Sequence, residues 1–116
     1  MKRFMALYVG APDAFEKWNA LDASVRAERE TKGIRAWGDW MEKHKALIVD
    51  AGGPLGKTKR TDSKGVSDSK NTIGGYIIVE AETHDDAAKL FEKHPHFTIL
   101  PGDAVEIMPC NPIPTL

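Results

Sequence analysis

The sequence predicts an α+β domain in which a four-stranded antiparallel sheet carries its main helices on one face. Two observations lead there. Met5–Val9 and Gly75–Val79 are strand-like runs that are apolar on both alternating faces, the pattern of strands packed on both sides rather than solvated on one. The chain also holds too little helix to cover both faces of such a sheet. Three or four strands would then expose an apolar face of about several hundred Å², at or above the largest patch an ordinary monomer leaves open. A second copy of the chain is the simplest cover, so a homodimer is expected.

Lys2–Val9 is the first strand, closed by Gly10 and Pro12. A helix follows, with Asp13 as N-cap, Glu16 three positions on, and Phe15, Trp18, Leu21 and Val25 at helical spacing. Gly33 is expected to interrupt it. A second amphipathic helix is expected over Ile34–Asp50, where Ile34, Trp37, Met41, His44 and Ile48 form one stripe and Gly52-Gly53-Pro54 provides the stop. Lys57–Ser69, with the turn signal Asp62-Ser63-Lys64-Gly65, is a β-hairpin arm or the start of two strands. Ile73–Glu80 is the strongest strand, and Gly74-Gly75 allows a bulge or a close backbone approach. Thr83 caps the next helix, Pro95 forbids its continuation, and Ala104–Met108 is the last strand before the Pro-rich tail Pro109–Leu116. The order βαββαβ is that of a ferredoxin-like protomer.

At 116 residues the chain forms one domain, 1–116, with a real core and no room for a separate cofactor domain. Its 16 basic and 17 acidic residues leave a net charge of −1, which gives no support for a nucleic-acid or anionic-membrane partner. Cys110 is the single cysteine and the first strand has no leader ahead of it, so a reducing cytoplasm is expected. No apolar stretch approaches the roughly 20 residues of a membrane span.

Candidate chemistry centres on histidine. His44 lies in its helix stripe, either as a core histidine or as an imidazole facing a cleft and able to move a proton. His94 suits a helix-capping role at the end of the following helix. His96 follows a rigid proline at a sheet end, where it serves either a site or simple packing. His94-x-His96 is too incomplete for a metal centre, so no metal is expected. No Gly-x-Gly-x-x-Gly, Walker-type loop or Gly-x-Ser-x-Gly is present, and no cofactor is expected. Lys57, Lys59, Arg60, Lys64 and Lys70 make the hairpin basic, but the segment has no aromatics and holds Asp62 and Asp68, as a solvated arm would. Trp37 and Trp40 are large core or interface residues.

Trp37-Gly-Asp-Trp40, Val49-Asp-Ala-Gly-Gly-Pro-Leu55, Val66-Ser-Asp68, Gly74-Gly-Tyr76 with its Ile-Ile-Val-Glu continuation, Pro95-His96 and Val105-Glu-Ile-Met-Pro109 follow one another in an order that resembles the YCII-related family, in its DGPF branch. The resemblance covers nearly the whole chain. It implies a dimeric α/β barrel of ferredoxin-like protomers. Asp68 is followed here by Ser69-Lys70-Asn71 rather than Gly-Pro-Phe. The family's proposed acid–base pair, a His on the first helix and an Asp before proline, is also replaced, by Ala36-Trp37 and by His94. His44, Asp68 and His96 are therefore the catalytic candidates, and Tyr8, Trp37, Trp40 and Ser69 the substrate-binding ones. The expected function is a cofactor-independent lyase or isomerase moving a proton on a small cyclic or aromatic molecule. A non-catalytic ligand-binding or stress-linked interaction protein is the alternative.

Overall fold

The computed structural model describes residues 1–115, so the last residue of the expected tail, Leu116, lies outside them. The elements are β1 (Lys2–Val9), α1 (Ala14–Asn19), α2 (Ala23–Lys43), a 3-10 turn (Lys45–Leu47), β2 (Ile48–Pro54), β3 (Thr58–Asp62), β4 (Gly65–Ser69), β5 (Ile73–Ala81), α3 (His84–Lys89), α4 (Pro95–Thr98) and β6 (Ala104–Pro109). Four strands form an antiparallel sheet in the order β2-β5-β1-β6, and β3 and β4 form a separate hairpin.

Strand alternation builds the core. Phe4, Ala6 and Tyr8 of β1 stand beside Val79, Ile77 and Gly75 of β5, and the five side chains other than glycine are all buried. Trp40, Ala87 and Phe91 close over that face, with Trp37 and Met41 packed at its margin. Burial of such side chains is the main favourable term of the fold, at about 1.5–3 kcal/mol each. The opposite face carries Met5 between Ile78 and Met108, with Leu7 two residues along. Met5, Leu7 and Ile78 are only half-buried and Met108 is exposed. The doubly apolar strands thus have helical cover on one face.

Two boundaries differ from expectation. The first helical pattern breaks at Ala20–Asp22, and α2 then runs unbroken through Gly33 to Lys43. Gly33 is buried, and a Cβ there would lie 2.6 Å from Cγ and Cδ2 of Leu100. The glycine admits a neighbouring side chain and leaves the helix intact. Ile48–Asp50 does not continue a helix but opens β2, where Ile48 pairs with Val79 and packs on the core. Strand pairing overrides the helical spacing of Ile48, and Gly52-Gly53-Pro54 lies in the strand rather than at a helix stop.

Three other signals act locally. Thr83 Oγ1 accepts the Asp86 N–H at 3.0 Å and caps α3. Pro95 opens α4 at its first position, after Lys93 turns the chain with φ 57°. The hairpin stands apart from the four-stranded sheet and contributes to a radius of gyration of 16.3 Å, against about 13 Å for a compact chain of this length.

Gly52, at φ +61°, lies where β2 loses register with β5, and its N–H donates to Asp50 Oδ1 at 2.9 Å. A Cβ there would overlap the Tyr76 carbonyl. Gly52→Ala should therefore destabilise the protein by about 1–2 kcal/mol or more, from left-handed strain and a backbone clash that no rotamer relieves. A lowered urea midpoint at unchanged slope is the expected result. An unchanged midpoint would show that this edge relaxes freely.

Candidate functional site

The end of the sheet where β2 stops and β5 starts is built largely from glycine. Gly74 is the extra residue between the Tyr8–Gly75 and Val9–Ile73 pairs. A Cβ on Gly75 would lie 2.9 Å from the Gly53 carbonyl oxygen and 3.4 Å from Tyr8 Cδ2, so the two backbones meet without side chains between them. A cavity of about 400 Å³ opens there. Tyr8 and Trp37 give it aromatic walls, Ile34 and Pro54 add apolar surface, and His96 is the only ionisable residue of its lining besides Tyr8 and Tyr76. The space is suited to a small, flat, largely apolar molecule.

His96 is held from three directions. Its N–H donates to Nδ1 of His94 at 3.0 Å, its ring Nε2 lies 2.9 Å from the Val9 carbonyl oxygen, and Gly102 presses on the ring where any Cβ would overlap it. A carbonyl only accepts, so Nε2 carries the proton in that bond. The neutral ring then keeps its lone pair on Nδ1, which makes His96 a base with a fixed direction. Trp37 and Tyr8 flank it at centroid distances of 6.2 and 5.3 Å.

Behind it lies His94, 0% exposed. Its ring packs at 4.6 Å from Trp37, 4.7 Å from Trp40 and 5.3 Å from Tyr8. Because Nδ1 accepts the His96 N–H, the neutral ring carries its proton on Nε2. That Nε2 and the Tyr8 hydroxyl are both buried without a hydrogen-bond partner. Burial first, then the nearby charges of His96 and His44, lowers the His94 pKa from 6.5 to about 4. Burial also pushes the Tyr8 phenol upward, so it stays protonated.

The structure brings His96, Tyr8 and Trp37 together at the cavity. It places the other candidates elsewhere. His44 is the half-buried C-cap of α2, against Trp40 at 5.0 Å, and its pKa is lowered by desolvation and then by Lys43. Asp68 is exposed on β4 and bonded to Lys59 Nζ at 2.6 Å. Ser69 lies beside it at the hairpin root. Trp40 is buried in the core, where its Nε1–H donates to the Leu90 carbonyl at 2.9 Å. The sequence suggests His94 as a cap of free carbonyls at the end of the preceding helix; the structure makes it instead the N-cap of α4, its Nδ1 accepting from the His96 N–H. Its position before Pro95 was the available signal, since a residue there is extended and its side chain is free to cap the helix that the proline starts.

Among the described residues no cluster of three or more His, Cys, Asp or Glu is placed to hold a metal, and no helix is long and apolar enough to cross a membrane. A family model described as the YCII-related domain matches residues 3–111. The curated proteins give no match. A solved structure of similar fold is 5-chloro-2-hydroxyhydroquinone dehydrochlorinase (TftG) from Burkholderia phenoliruptrix AC1100, in complex with 2,5-dihydroxybenzoquinone. It has a TM-score of 0.53 and 23% identity, over 91% of this chain and 90% of that one.

The buried His94 makes stability depend on pH. Between its ordinary pKa of 6.5 and the folded value of about 4, the unfolded chain binds a proton that the folded chain refuses. Its contribution is therefore full above 6.5 and is lost as the pH falls toward 4, by about 3 kcal/mol at most. Urea midpoints should drop across that window in the wild type and drop less in His94→Leu. Equal pH slopes in the two proteins would assign the effect to other groups.

Proposed function

The chain belongs to the YCII-related domain family, and from that premise we propose that it is a cofactor-independent lyase or isomerase acting on a small ring molecule, with His96 as the proton carrier. The observation that carries this reading is the fixed tautomer of His96 in the wall of a cavity without charged side chains. A ring bound against Trp37 and Tyr8 presents an acidic C–H to Nδ1, which takes the proton. The released electron pair either expels a leaving group, as in a lyase, or shifts within the ring and recovers the proton at another carbon, as in an isomerase. The Val9 carbonyl, accepting from Nε2–H, stabilises the imidazolium formed between these steps. A dehydrochlorinase of similar fold, seen with a dihydroxybenzoquinone, supports a ring substrate by analogy of fold. His44 and Asp68 have no part in this scheme, because neither lines the cavity.

The strand order β2-β5-β1-β6 supports a ferredoxin-like protomer, and Asp68 on the hairpin supports the DGPF branch of the family. We further propose that two protomers in the cytoplasm form a dimeric α/β barrel, burying Met5, Leu7, Ile78 and Met108 against a second copy. Sedimentation at micromolar concentration should give twice the chain mass, and Leu7→Glu should shift it toward one. A wild-type monomer would remove the barrel.

Proton transfer is tested with 2-hydroxyhydroquinone under anaerobic conditions in D₂O, by following deuterium entry at its ring carbons. Wild-type protein should accelerate exchange, and His96→Ala should lose about 10²-fold or more of that rate while remaining folded. Equal rates in the two proteins would remove His96 from the chemistry. Binding without exchange in the wild type would favour a ligand-binding protein.

A further inference from the structure

A groove adjoins the cavity. It is lined by Gly10, Phe15, Leu55, Lys70, Leu100 and neighbouring residues, and His96 and Gly74 belong to both linings. Gly74 is the bulged residue of β5 and places no side chain between the two. Phe15 and Leu55, 69% and 48% exposed, flank the groove as unusually open apolar side chains. His96 and Gly74 thus form a wall common to cavity and groove.

The electrostatics of the two are one-sided. Lys70 is the only Lys, Arg, Asp or Glu in either lining. The two residues that follow it are held by hydrogen bonds. Asn71 donates from Nδ2 to Thr58 Oγ1 at 3.1 Å and accepts the Ile73 N–H at 2.9 Å, while Thr72 accepts the Gly10 N–H at 2.7 Å. Among the described residues Lys70 makes no ion pair, whereas its hairpin neighbours Lys59 and Arg60 are paired with Asp68 and Asp62. An unpaired cation over a space without carboxylates complements an anion.

We propose that the ligand of this site is a planar ring carrying an acidic substituent, with the ring in the cavity and the carboxylate or other anionic group passing His96 to meet Lys70. This rests on the ring-binding reading above and adds a charge requirement to it. Lys70 is then a specificity residue. It leaves the ring chemistry to His96 and selects anionic over neutral substrates of the same shape.

Two probes of one shape and different charge, 4-hydroxycinnamate and 4-hydroxycinnamamide, test it by calorimetry. In the wild type at low salt the acid should bind about three- to tenfold more tightly than the amide, with the difference shrinking as salt is added. Lys70→Ala should erase the preference, Lys70→Glu should reverse it and Lys70→Arg should keep it, with amide affinity unchanged throughout. Equal affinities in the wild type, or a preference that survives Lys70→Ala, would overturn the proposal. If both probes then still lose affinity in Trp37→Ala, the ring site stands without the anion requirement. Failure of both probes to bind the wild type would overturn the two readings together.

Discussion

The hydrogen bond from the His96 N–H to Nδ1 of His94 fixes the arrangement of everything at this end of the sheet. It begins α4, because His94 serves as the cap of the helix that Pro95 opens. It also decides a tautomer. With Nδ1 accepting, the buried His94 carries its proton on Nε2, inside a box of Trp37, Trp40, Tyr8 and Phe91. The bond is worth about 1 kcal/mol in itself, but leaving Nδ1 unpaired in that box would cost about 1–3 kcal/mol. The chain therefore holds His96 at one place and in one orientation, with Val9 and Gly102 completing the clamp.

The cavity beside it exists because side chains are missing. Gly75 lets β2 and β5 approach at one end, where a Cβ would press on the Gly53 carbonyl, while Tyr8 and Trp37 belong to the cavity lining. The irregular register of β2 belongs to the same feature, since its shifts fall between Ile48 and Asp50 and between Asp50 and Gly53. β1 keeps register with β6 throughout and with β5 as far as Tyr8, and the sheet is irregular at the Gly74 bulge beside the cavity and along β2. That division matches the general tendency of bulges and glycines to gather where a strand must re-aim its neighbours.

The fold was legible wherever local chemistry and tertiary pairing agree. β1 and β5 carry continuous apolar runs, Thr83 is a capping residue followed by acidic positions, and the Gly74 bulge was signalled by its glycines. It was illegible where they disagree. Gly33 reads as a breaker, yet its missing side chain is filled by Leu100, a residue 67 positions away that no local rule can see. Ile48 fits a helical stripe, and only its pairing with Val79 makes it a strand residue. For the site, the proline before His96 marked a constrained ring at a sheet end. The helical spacing of His44 suggested the core, whereas its actual place is the C-cap of α2. His94 had the weakest signal, since its burial comes from two tryptophans on α2 that approach it only in the folded chain.

The neutrality of His94 has a consequence for its neighbour. A second imidazolium in direct contact with the His96 backbone would oppose any proton arriving on His96, and the charge of His96 in turn lowers the His94 pKa. Burial among aromatic rings keeps His94 out of that role, because desolvation is the largest cause holding it uncharged. The Tyr8 phenol is kept protonated by the same burial, so neither group behind the cavity competes as a base near neutral pH. A neutral wall of donors behind one oriented imidazole costs about 1–3 kcal/mol for each buried polar atom left unpaired. Tyr8 and His94 thereby add no charge beside the His96 imidazole.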